Sequence, residues 1–265
     1  MPRRSHPIAR ARNSWSWAGG GLLLGVLAGL LLFAPASWLA QWLARRTDGH
    51  VVLAQARGTI WNGSAQLVLA AGADSQLALT LPGRLAWSLH PAWGALLARV
   101  DAPCCTAQPL QLRITPRWNG ARLALADGRS QWPAAVLAGL GAPWNTVQLE
   151  GLLALSSRTL SLEWVDGRLD ISGQAQLDAV GLSSRLSTLK PMGSYRMTLN
   201  GGATPTLTLE TLQGSLQLTG SGRWVGSRLR FNGVASAAPA HEAALTNLLN
   251  ILGRREGARS IITLG

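Results

Sequence analysis

Apolar residues follow two different patterns along this 265-residue chain. Near the N-terminus they form a stretch that carries no charge between Arg12 and Arg45, with a leucine-rich centre at residues 22–33. After residue 50 they alternate with polar residues, which is the pattern of half-buried β-strands. The sequence therefore predicts one long apolar helix followed by a β-rich body.

The N-terminal stretch predicts a single transmembrane helix. A helix of about 20 apolar residues spans the hydrocarbon core of a bilayer, and tryptophan favours the two interfaces. We assign residues 15–43 to this helix and its interface residues, and residues 1–14 to a basic cytoplasmic tail. Arginines before the span hold the N-terminus in the cytoplasm, so the bulk of the chain is predicted to be periplasmic. The flanking tryptophans are Trp15, Trp17, Trp38 and Trp42.

A cleaved signal peptide is the alternative interpretation of the same stretch. Ala34-Pro35-Ala36 resembles a small-x-small cleavage site after a basic region and an apolar run. The proline between the small residues and the apolar character that continues beyond them favour a retained helix. Both interpretations place the body of the chain in the same compartment.

The body is predicted to be mainly β, as an antiparallel sheet in an open roll or sandwich-like arrangement. Turn signals such as Asn119-Gly120 and Asp166-Gly167 separate its alternating stretches. The apolar residues spaced two apart are Leu67/Leu69, Leu77/Leu79/Leu81, Leu85/Trp87/Leu89, Leu110/Leu112/Ile114, Leu123/Leu125, Leu160/Leu162/Trp164, Tyr195/Met197/Leu199 and Leu207/Leu209.

Self-comparison predicts that the body is built twice. Residues 117–125 align with 223–231, sharing Arg, Trp, Gly, Arg and Leu at matching positions. The predicted halves are residues 50–142 and 146–265. Chance similarity in a chain rich in Gly, Leu and Arg is the alternative.

A short helix is predicted to close each half. The first covers residues 132–140, where Pro133 suits the first helical turn and Gly141 the end. The second covers residues 242–252, with leucines on one face and Gly253 as the stop.

Composition narrows the classes of function. A hydrophobic content of 47% with 14% charged residues indicates a folded body. The formal net charge of +12 resembles that of nucleic-acid-binding proteins. However, part of this charge lies in the N-terminal tail, where it sets topology, and the remaining arginines are scattered. We therefore expect no nucleic-acid partner.

Residues that carry chemistry are sparse and scattered. The four histidines show no metal-ligand spacing, and no nucleophile-elbow or phosphate-binding motif occurs. Glu163 is the one acid suspected of facing a groove, although an outward strand position explains it better. Cys104 and Cys105 are adjacent, which indicates loop residues or a vicinal disulfide rather than a redox site. We predict no catalytic residue, no cofactor, no metal and no small-molecule substrate.

The tryptophans divide into two predicted groups. Large rings at strand positions fill cores, whereas exposed rings near loops serve as hot spots for partners. The predicted core group is Trp61, Trp87 and Trp164. The candidate interface group, near loops and prolines, is Trp93, Trp132 and Trp144.

Short motifs follow one another in a fixed order, beginning with Gly-Thr-Ile-Trp-Asn-Gly at residues 58–63 and Leu-Ala-Trp-Ser-Leu-His-Pro at residues 85–91. This order resembles that of protein N of the type II secretion system. The most specific motif is Gly-Thr-Ile-Trp-x-Gly, soon after the apolar stretch, and the resemblance covers nearly the whole chain. The residues that carry it are Gly58, Thr59, Ile60, Trp61, Gly63, Trp87, Pro91, Trp164 and Gly193.

This resemblance implies a single-pass inner-membrane protein with a periplasmic β-rich domain. It implies an accessory, non-enzymatic component of the machine that exports folded proteins, with the inner-membrane platform and the secretin's periplasmic region as neighbours. We expect a scaffold or interaction module that binds through a sheet edge or groove. The alternative is a membrane-anchored periplasmic protein that binds or transfers lipid, which requires a continuous apolar groove.

Overall fold

The computed structural model describes residues 14–70, 78–140 and 144–265. Two helices, α1 (Ser14–Leu32) and α2 (Ala36–Arg46), precede the body. Later come the short α3 (Trp144–Val147), α4 (Glu242–Leu252), and the 3₁₀ helices Ala134–Leu140 and Pro239–His241.

The strands are β1 (Val51–Gly58), β2 (Asn62–Ala70), β3 (Ala78–Thr80), β4 (Leu85–Ala92), β5 (Ala95–Asp101), β6 (Leu110–Arg117), β7 (Gly120–Leu125), β8 (Gly128–Pro133), β9 (Leu149–Val165), β10 (Arg168–Ser184), β11 (Gly193–Asn200), β12 (Thr206–Gly214), β13 (Leu216–Val225), β14 (Arg228–Ala237), β15 (Arg254–Glu256) and β16 (Arg259–Leu264).

These sixteen strands form one sheet. Its order is β1-β2-β4-β5-β6-β7-β9-β10-β11-β12-β13-β14-β16-β15, with β3 paired to β2 and β8 paired to β9. Neighbouring strands run antiparallel, as in the pairing of Leu112 with Leu125 across β6 and β7. The predicted mainly β, antiparallel fold is confirmed, and the strands make one sheet instead of the two sheets of a sandwich.

The stretches in which apolar and polar residues alternate form strands, as predicted. The apolar pairs of β2, β4, β6, β7, β9, β11 and β12 each lie inside one strand. Leu79 lies in β3 and Leu81 just beyond it, whereas Leu77 lies outside the described residues. Because side chains alternate between the two faces of a strand, each of these stretches places its apolar residues on one face of the sheet.

The predicted N-terminal interval 15–43 contains two helices, not one. Helix α1 ends at Leu32, and α2 begins at Ala36 after an extended Pro35 with φ −69° and ψ 147°. Proline lacks the amide hydrogen that a continuing helix needs, and it disfavours helical backbone at the residue before it. Trp38 and Trp42 therefore belong to a separate helix that packs on β1.

The helix predicted at 132–140 begins later than expected. Trp132 and Pro133 are the last residues of β8 and pair with Leu153 and Leu152 of β9, so the 3₁₀ helix starts at Ala134. Pro133, which was expected in the first turn of the helix, is instead part of a strand pair. Gly141, the predicted end, lies outside the described residues.

The helix predicted at 242–252 is confirmed as α4, followed by Gly253. The backbone of Gly253 is extended, with φ −179°, so a left-handed cap is not the reason for glycine. A Cβ atom at this position would lie 2.2 Å from the carbonyl oxygen of Ile261. Glycine is required because β16 passes too close for any side chain.

The sheet runs without a break across the predicted join between the halves, because β7 pairs with β9. Residues 117–125 cover the end of β6, the turn and β7, and residues 223–231 cover the end of β13, the turn and the start of β14. The turns of these hairpins, at 118–119 and 226–227, differ by two positions in the alignment. The internal duplication stays a prediction.

The two ends of the sheet differ. Four tight turns lie at one end, which we call the tip end: residues 93–94, 118–119, 166–167 and 226–227. The opposite end, the base, holds the largest buried cluster. There Leu245, Leu248 and Leu249 of α4 pack with Ala134 and with strand residues such as Leu153, and all are at most 4% exposed.

Candidate interaction surfaces

The Gly-Thr-Ile-Trp-x-Gly motif forms the turn between β1 and β2. Gly58 has φ +86°, a backbone conformation that favours glycine. The amide of Thr59 donates a hydrogen bond of 2.9 Å to the carbonyl of Asn62, which closes the turn. The motif is therefore first a local structural unit.

The same turn binds the link between α1 and α2. The amide of Ile60 donates to the carbonyl of Ala34 (2.9 Å), and Pro35 forms a β-bridge with Thr59. The indole Nε1 of Trp61 donates to the carbonyl of Leu31 at 2.7 Å, near the end of α1. The most specific motif of the chain thus fixes its apolar helix to its sheet, and we call this contact the junction.

Trp87 of β4 also contacts the junction. Its side chain is 7% exposed, and its Nε1 donates to the carbonyl of Ile60 at 3.0 Å. A Cβ atom on Gly63 would lie 2.4 Å from the Trp87 ring, so only glycine leaves room for the indole. The prediction that Trp87 is a core residue is confirmed, and Trp61 is partly buried.

Helix α1 projects from the junction with its apolar surface uncovered. Its leucines and Val26, from residue 22 onward, are 49–72% exposed. Among the residues that the structure describes, none of the helices combines the length and apolarity needed to cross a bilayer.

Two tryptophans stand fully exposed at the tip end. Trp93 in the β4–β5 turn is 101% exposed, and Trp118 in the β6–β7 turn is 100% exposed. Two strand spacings of about 4.8 Å separate the hairpins, so the tips lie about 10 Å apart. Trp93 was a predicted interface residue, whereas Trp118 was missed in that role; its place beside Asn119-Gly120 in a turn signal was the clue.

The other tryptophans do not share this exposure. Trp132 and Trp144 are partly buried against the base cluster, and Nε1 of Trp132 donates to Ser130 Oγ at 2.9 Å. Trp164, predicted to be a core residue, is 49% exposed close to the β9–β10 turn, so that prediction is wrong. The residue lies near the tip end, away from the base cluster, where the described helices do not cover the ring.

An apolar face extends from the base toward the tip end across β5, β6, β7 and β9. The register places Leu96 beside Ile114, and Leu123 between Ile114 and Leu162. These side chains are only partly buried. The helices pack elsewhere: α2 on β1 and β2, the 3₁₀ helix 134–140 on β2, β3 and β9, and α4 on β14, β15 and β16.

The opposite face of the same strands is polar and basic. Glu163 points to this face, where Arg117 lies at 3.2 Å and Arg122 at 3.9 Å from its carboxylate oxygens. The interpretation of Glu163 as an outward strand residue is confirmed. Asn119 Nδ2 also donates to Asp166 Oδ1 at 2.9 Å, which ties the β6–β7 tip to the β9–β10 tip.

One charged pair on β10 and β11 titrates abnormally. Arg196 donates to both carboxylate oxygens of Asp178, at 2.8 and 3.0 Å. These hydrogen bonds hold the pKa of Asp178 below its ordinary value of 3.8. Arg196 also lies opposite Glu210 of β12 in the strand register. The arginine therefore braces β10 and β12 against β11, which is a structural role.

Gly193, the motif residue of the second half beyond Trp164, also has a structural role. Gly193 is buried, and a Cβ atom there would lie 2.6 Å from the Tyr195 hydroxyl and 2.7 Å from the Gln213 carbonyl. Tyr195 donates to the carbonyl of Leu216 at 3.1 Å, and burial raises the pKa of Tyr195. Pro91, the remaining motif residue of the first half, pairs with Leu96 near the tip end.

Cys104 and Cys105 form a vicinal disulfide, in the loop between β5 and β6. Cys105 is buried and accepts a hydrogen bond from the amide of Gln131 at its carbonyl. This loop therefore lies against β8. Among the residues that the structure describes, no cluster of three or more His, Cys, Asp or Glu side chains is placed to hold a metal ion.

The first and last strands in the sheet order, β1 and β15, are poorly suited to pair with a further strand. β1 is interrupted by a bulge between Ala54 and Arg57. β15 has only three residues, Arg254–Glu256, all charged. Bulges, short strands and charges are the features that protect sheet edges from added strands. Recognition through the tip end or the apolar face fits this structure better than strand addition.

These features define a class: a mainly β protein with one large antiparallel sheet and an apolar N-terminal helix. The turn formed by the Gly-Thr-Ile-Trp-x-Gly motif holds the end of that helix to the sheet. The chain belongs to the type II secretion system protein N family, because the model of that family matches residues 49–262. No curated protein and no solved structure matches the chain. It is therefore a component of type II secretion, in a family of accessory secretion proteins not known as enzymes.

Proposed function

We propose that this chain is an inner-membrane accessory component of the type II secretion machinery, and that its sheet docks another component in the periplasm. Membership of the family supports the place in the machinery. The observation that carries the docking role is the pair of fully exposed tryptophans, Trp93 and Trp118, on neighbouring hairpin tips. The inner-membrane platform and the periplasmic region of the secretin are the proposed partners.

Anchoring is supported by the exposed surface of α1. Contiguous apolar surface of this kind requires a lipid or protein cover. The sequence before it is basic, with Arg3, Arg4, Arg10 and Arg12, and the positive-inside bias holds such a segment in the cytoplasm. The proposed orientation therefore puts residues 1–14 in the cytoplasm and the sheet in the periplasm.

Docking at the tip end is supported by the chemistry of its exposed rings. Tryptophan dominates binding hot spots because a large, stiff ring buries much area at a small entropy cost. The hairpin that carries Trp118 is also held in place, since the Asn119–Asp166 hydrogen bond connects it to the β9–β10 tip. Preorganisation of this kind reduces the free energy lost on binding.

The test is photo-crosslinking of the full-length chain in its own cell. A photoreactive residue replaces Trp93 in one variant and Trp118 in another. The control variant carries it at Arg185, whose side chain is 71% exposed at the base. Adducts are identified by mass spectrometry.

We expect adducts with other secretion components from the tip positions and a much lower yield from position 185. Equal yields at all three positions, or no protein adduct at the tips, would contradict docking through this surface. The anchoring part is checked separately, by whether the chain stays in the membrane fraction after alkaline extraction.

The partly buried apolar face favours a second candidate, a protein that binds or transfers lipid. Leu112 and Arg113 provide a matched pair, because neighbours on one strand face opposite sides. A photoreactive residue at 112 that captures phospholipid acyl chains, with none captured at 113, would support lipid binding. Protein adducts alone at 112 would leave the scaffold function as the explanation of this face.

A further inference from the structure

We propose that α2 is a membrane-surface helix whose outer face binds anionic phospholipid beside α1. This inference rests on the proposed anchoring by α1 and deepens it. The membrane contact of the chain would then include two elements: a helix in the bilayer and a second helix lying along its periplasmic surface.

The two faces of α2 differ sharply. Its inner face, through Leu39 and Leu43, packs on a buried cluster that contains Leu53 and Trp87. Its outer face exposes Trp38 (52%) and Trp42 (55%), which are one helical turn apart and therefore lie on one stripe. Two neighbouring exposed indoles form an apolar patch, and such a patch is typical of a surface that contacts lipid or protein.

The charges of α2 complement a negatively charged surface. Arg45 and Arg46 occupy its last turn and are exposed, and its sequence contains no acidic residue. The Arg46 guanidinium lies 5.9 Å from the centre of the Trp42 ring. Indoles at the headgroup level next to cationic side chains are typical of helices that lie in the membrane interface.

The position of α2 directly after α1 favours lipid over a protein as the partner of its outer face. Only residues 33–35 separate the end of α1 from the start of α2, a span of about 10 Å. The junction holds this elbow through Ile60 and Trp61. When α1 ends at the periplasmic interface, the first turn of α2, with Trp38, is held at the same depth.

The test uses a reporter fluorophore on the full-length chain in vesicles. The described residues contain no free cysteine, since Cys104 and Cys105 are bridged, so an introduced cysteine is labelled selectively without reductant. The probe position is Gln41→Cys, which is exposed and leaves both indoles in place. The comparison positions are Leu24→Cys in α1 and Ser227→Cys on the exposed β13–β14 turn. Quenching by nitroxide-labelled lipids is measured in vesicles of mixed phosphatidylglycerol and phosphatidylcholine.

We expect the Gln41→Cys probe to reach at least half the quenching of the Leu24→Cys probe, and the Ser227→Cys probe to show almost none. In the chain that carries the Gln41→Cys probe, the further substitutions Trp38→Ser and Trp42→Ser should remove most of the quenching at position 41. Adding Arg45→Gln and Arg46→Gln should reduce it in anionic vesicles and leave it unchanged in pure phosphatidylcholine.

Three results would overturn the inference in distinguishable ways. Quenching at 24 but not at 41 means that the chain is anchored and α2 does not touch lipid. A probe at 41 that is shielded from both water and lipid means that α2 packs against protein. No quenching at 24 means that the anchoring itself fails, and the inference fails with it.

Discussion

The base and the tip end of the sheet are made from the same strands but are covered differently. At the base, helices seal the apolar face, and Leu245, Leu248 and Leu249 are at most 1% exposed. Toward the tips the same face is only partly buried, and Trp93 and Trp118 are fully exposed. The difference indicates that the base stabilises the fold, which leaves the tip end available for binding.

The largest effect should come from truncating a leucine in the base. Leu248→Ala removes a fully buried side chain and leaves a cavity, at an expected cost of about 3 kcal/mol in the free energy of unfolding. Leu123→Ala, on the partly buried face of β7, should cost about 1 kcal/mol because less area is lost. Urea unfolding of the full-length chain in detergent measures both, and equal costs would contradict the contrast between base and tip end.

The junction gives the next effect. Gly63→Ala places a Cβ atom 2.4 Å from the Trp87 ring and 2.8 Å from the Thr59 carbonyl. We expect a loss of about 2 kcal/mol, since overpacking forces the indole to move. Gly128→Ala is the matched control, because its Cβ would have no heavy atom closer than 3.9 Å and the change should stay below about 0.5 kcal/mol. A tolerated Gly63→Ala would show that the turn yields easily and does not fix the helix.

A smaller effect is expected from the ion pair of Asp178 and Arg196. Because the folded-state pKa of Asp178 lies below its ordinary value, its stabilisation is present at neutral pH and is lost as the pH falls through the folded pKa. Asp178→Asn should lower the melting temperature at neutral pH by about 2 °C. The variant and the parent should converge in strong acid. A difference that persists there would mean that packing, and not charge, accounts for the loss.

The smallest effect on stability, and the sharpest on binding, should come from the tips. The double variant Trp93→Ser with Trp118→Ser exposes no new core, so unfolding should change by less than about 0.5 kcal/mol. Loss of a hot-spot tryptophan weakens binding by about tenfold or more. Crosslinking yield with other secretion components should fall accordingly. Trp87→Ser serves as the opposite control, because it should destabilise the fold itself.

Alternation predicted the class of fold because each leucine pair sits on a pleated strand with one buried face. Strands with weaker alternation were not singled out; β8, for example, has serine and glutamine before Trp132. Pro35 is itself a local signal for the break of the N-terminal stretch, because proline disfavours a continuing helix. The packing of α2 on β1 and β2, and the order of strands in the sheet, depend on long-range contacts that no local pattern encodes.

The candidate surfaces were predicted less completely. The motif residues Gly58 to Gly63 stood out as a sequence, but their contacts with Leu31 and Ala34 are long-range and could not be inferred. Trp93 was selected for its loop position, and Trp118 shares that position. Trp164 is predicted to be a core residue because strand tryptophans usually fill a core. Its exposure depends on which part of β9 the described helices cover, and the local pattern does not encode that.

The nearly sequential strand order has a consequence for how the chain is assembled. In the proposed orientation β1 and β2 leave the translocation channel first, while α1 is already in the membrane. Most later strands pair with the strand exported just before them, so each hairpin adds to an existing template and closes only a short loop. The sheet can grow in step with export, and α4, which follows β14 in the chain, seals the base only after the first fourteen strands have crossed.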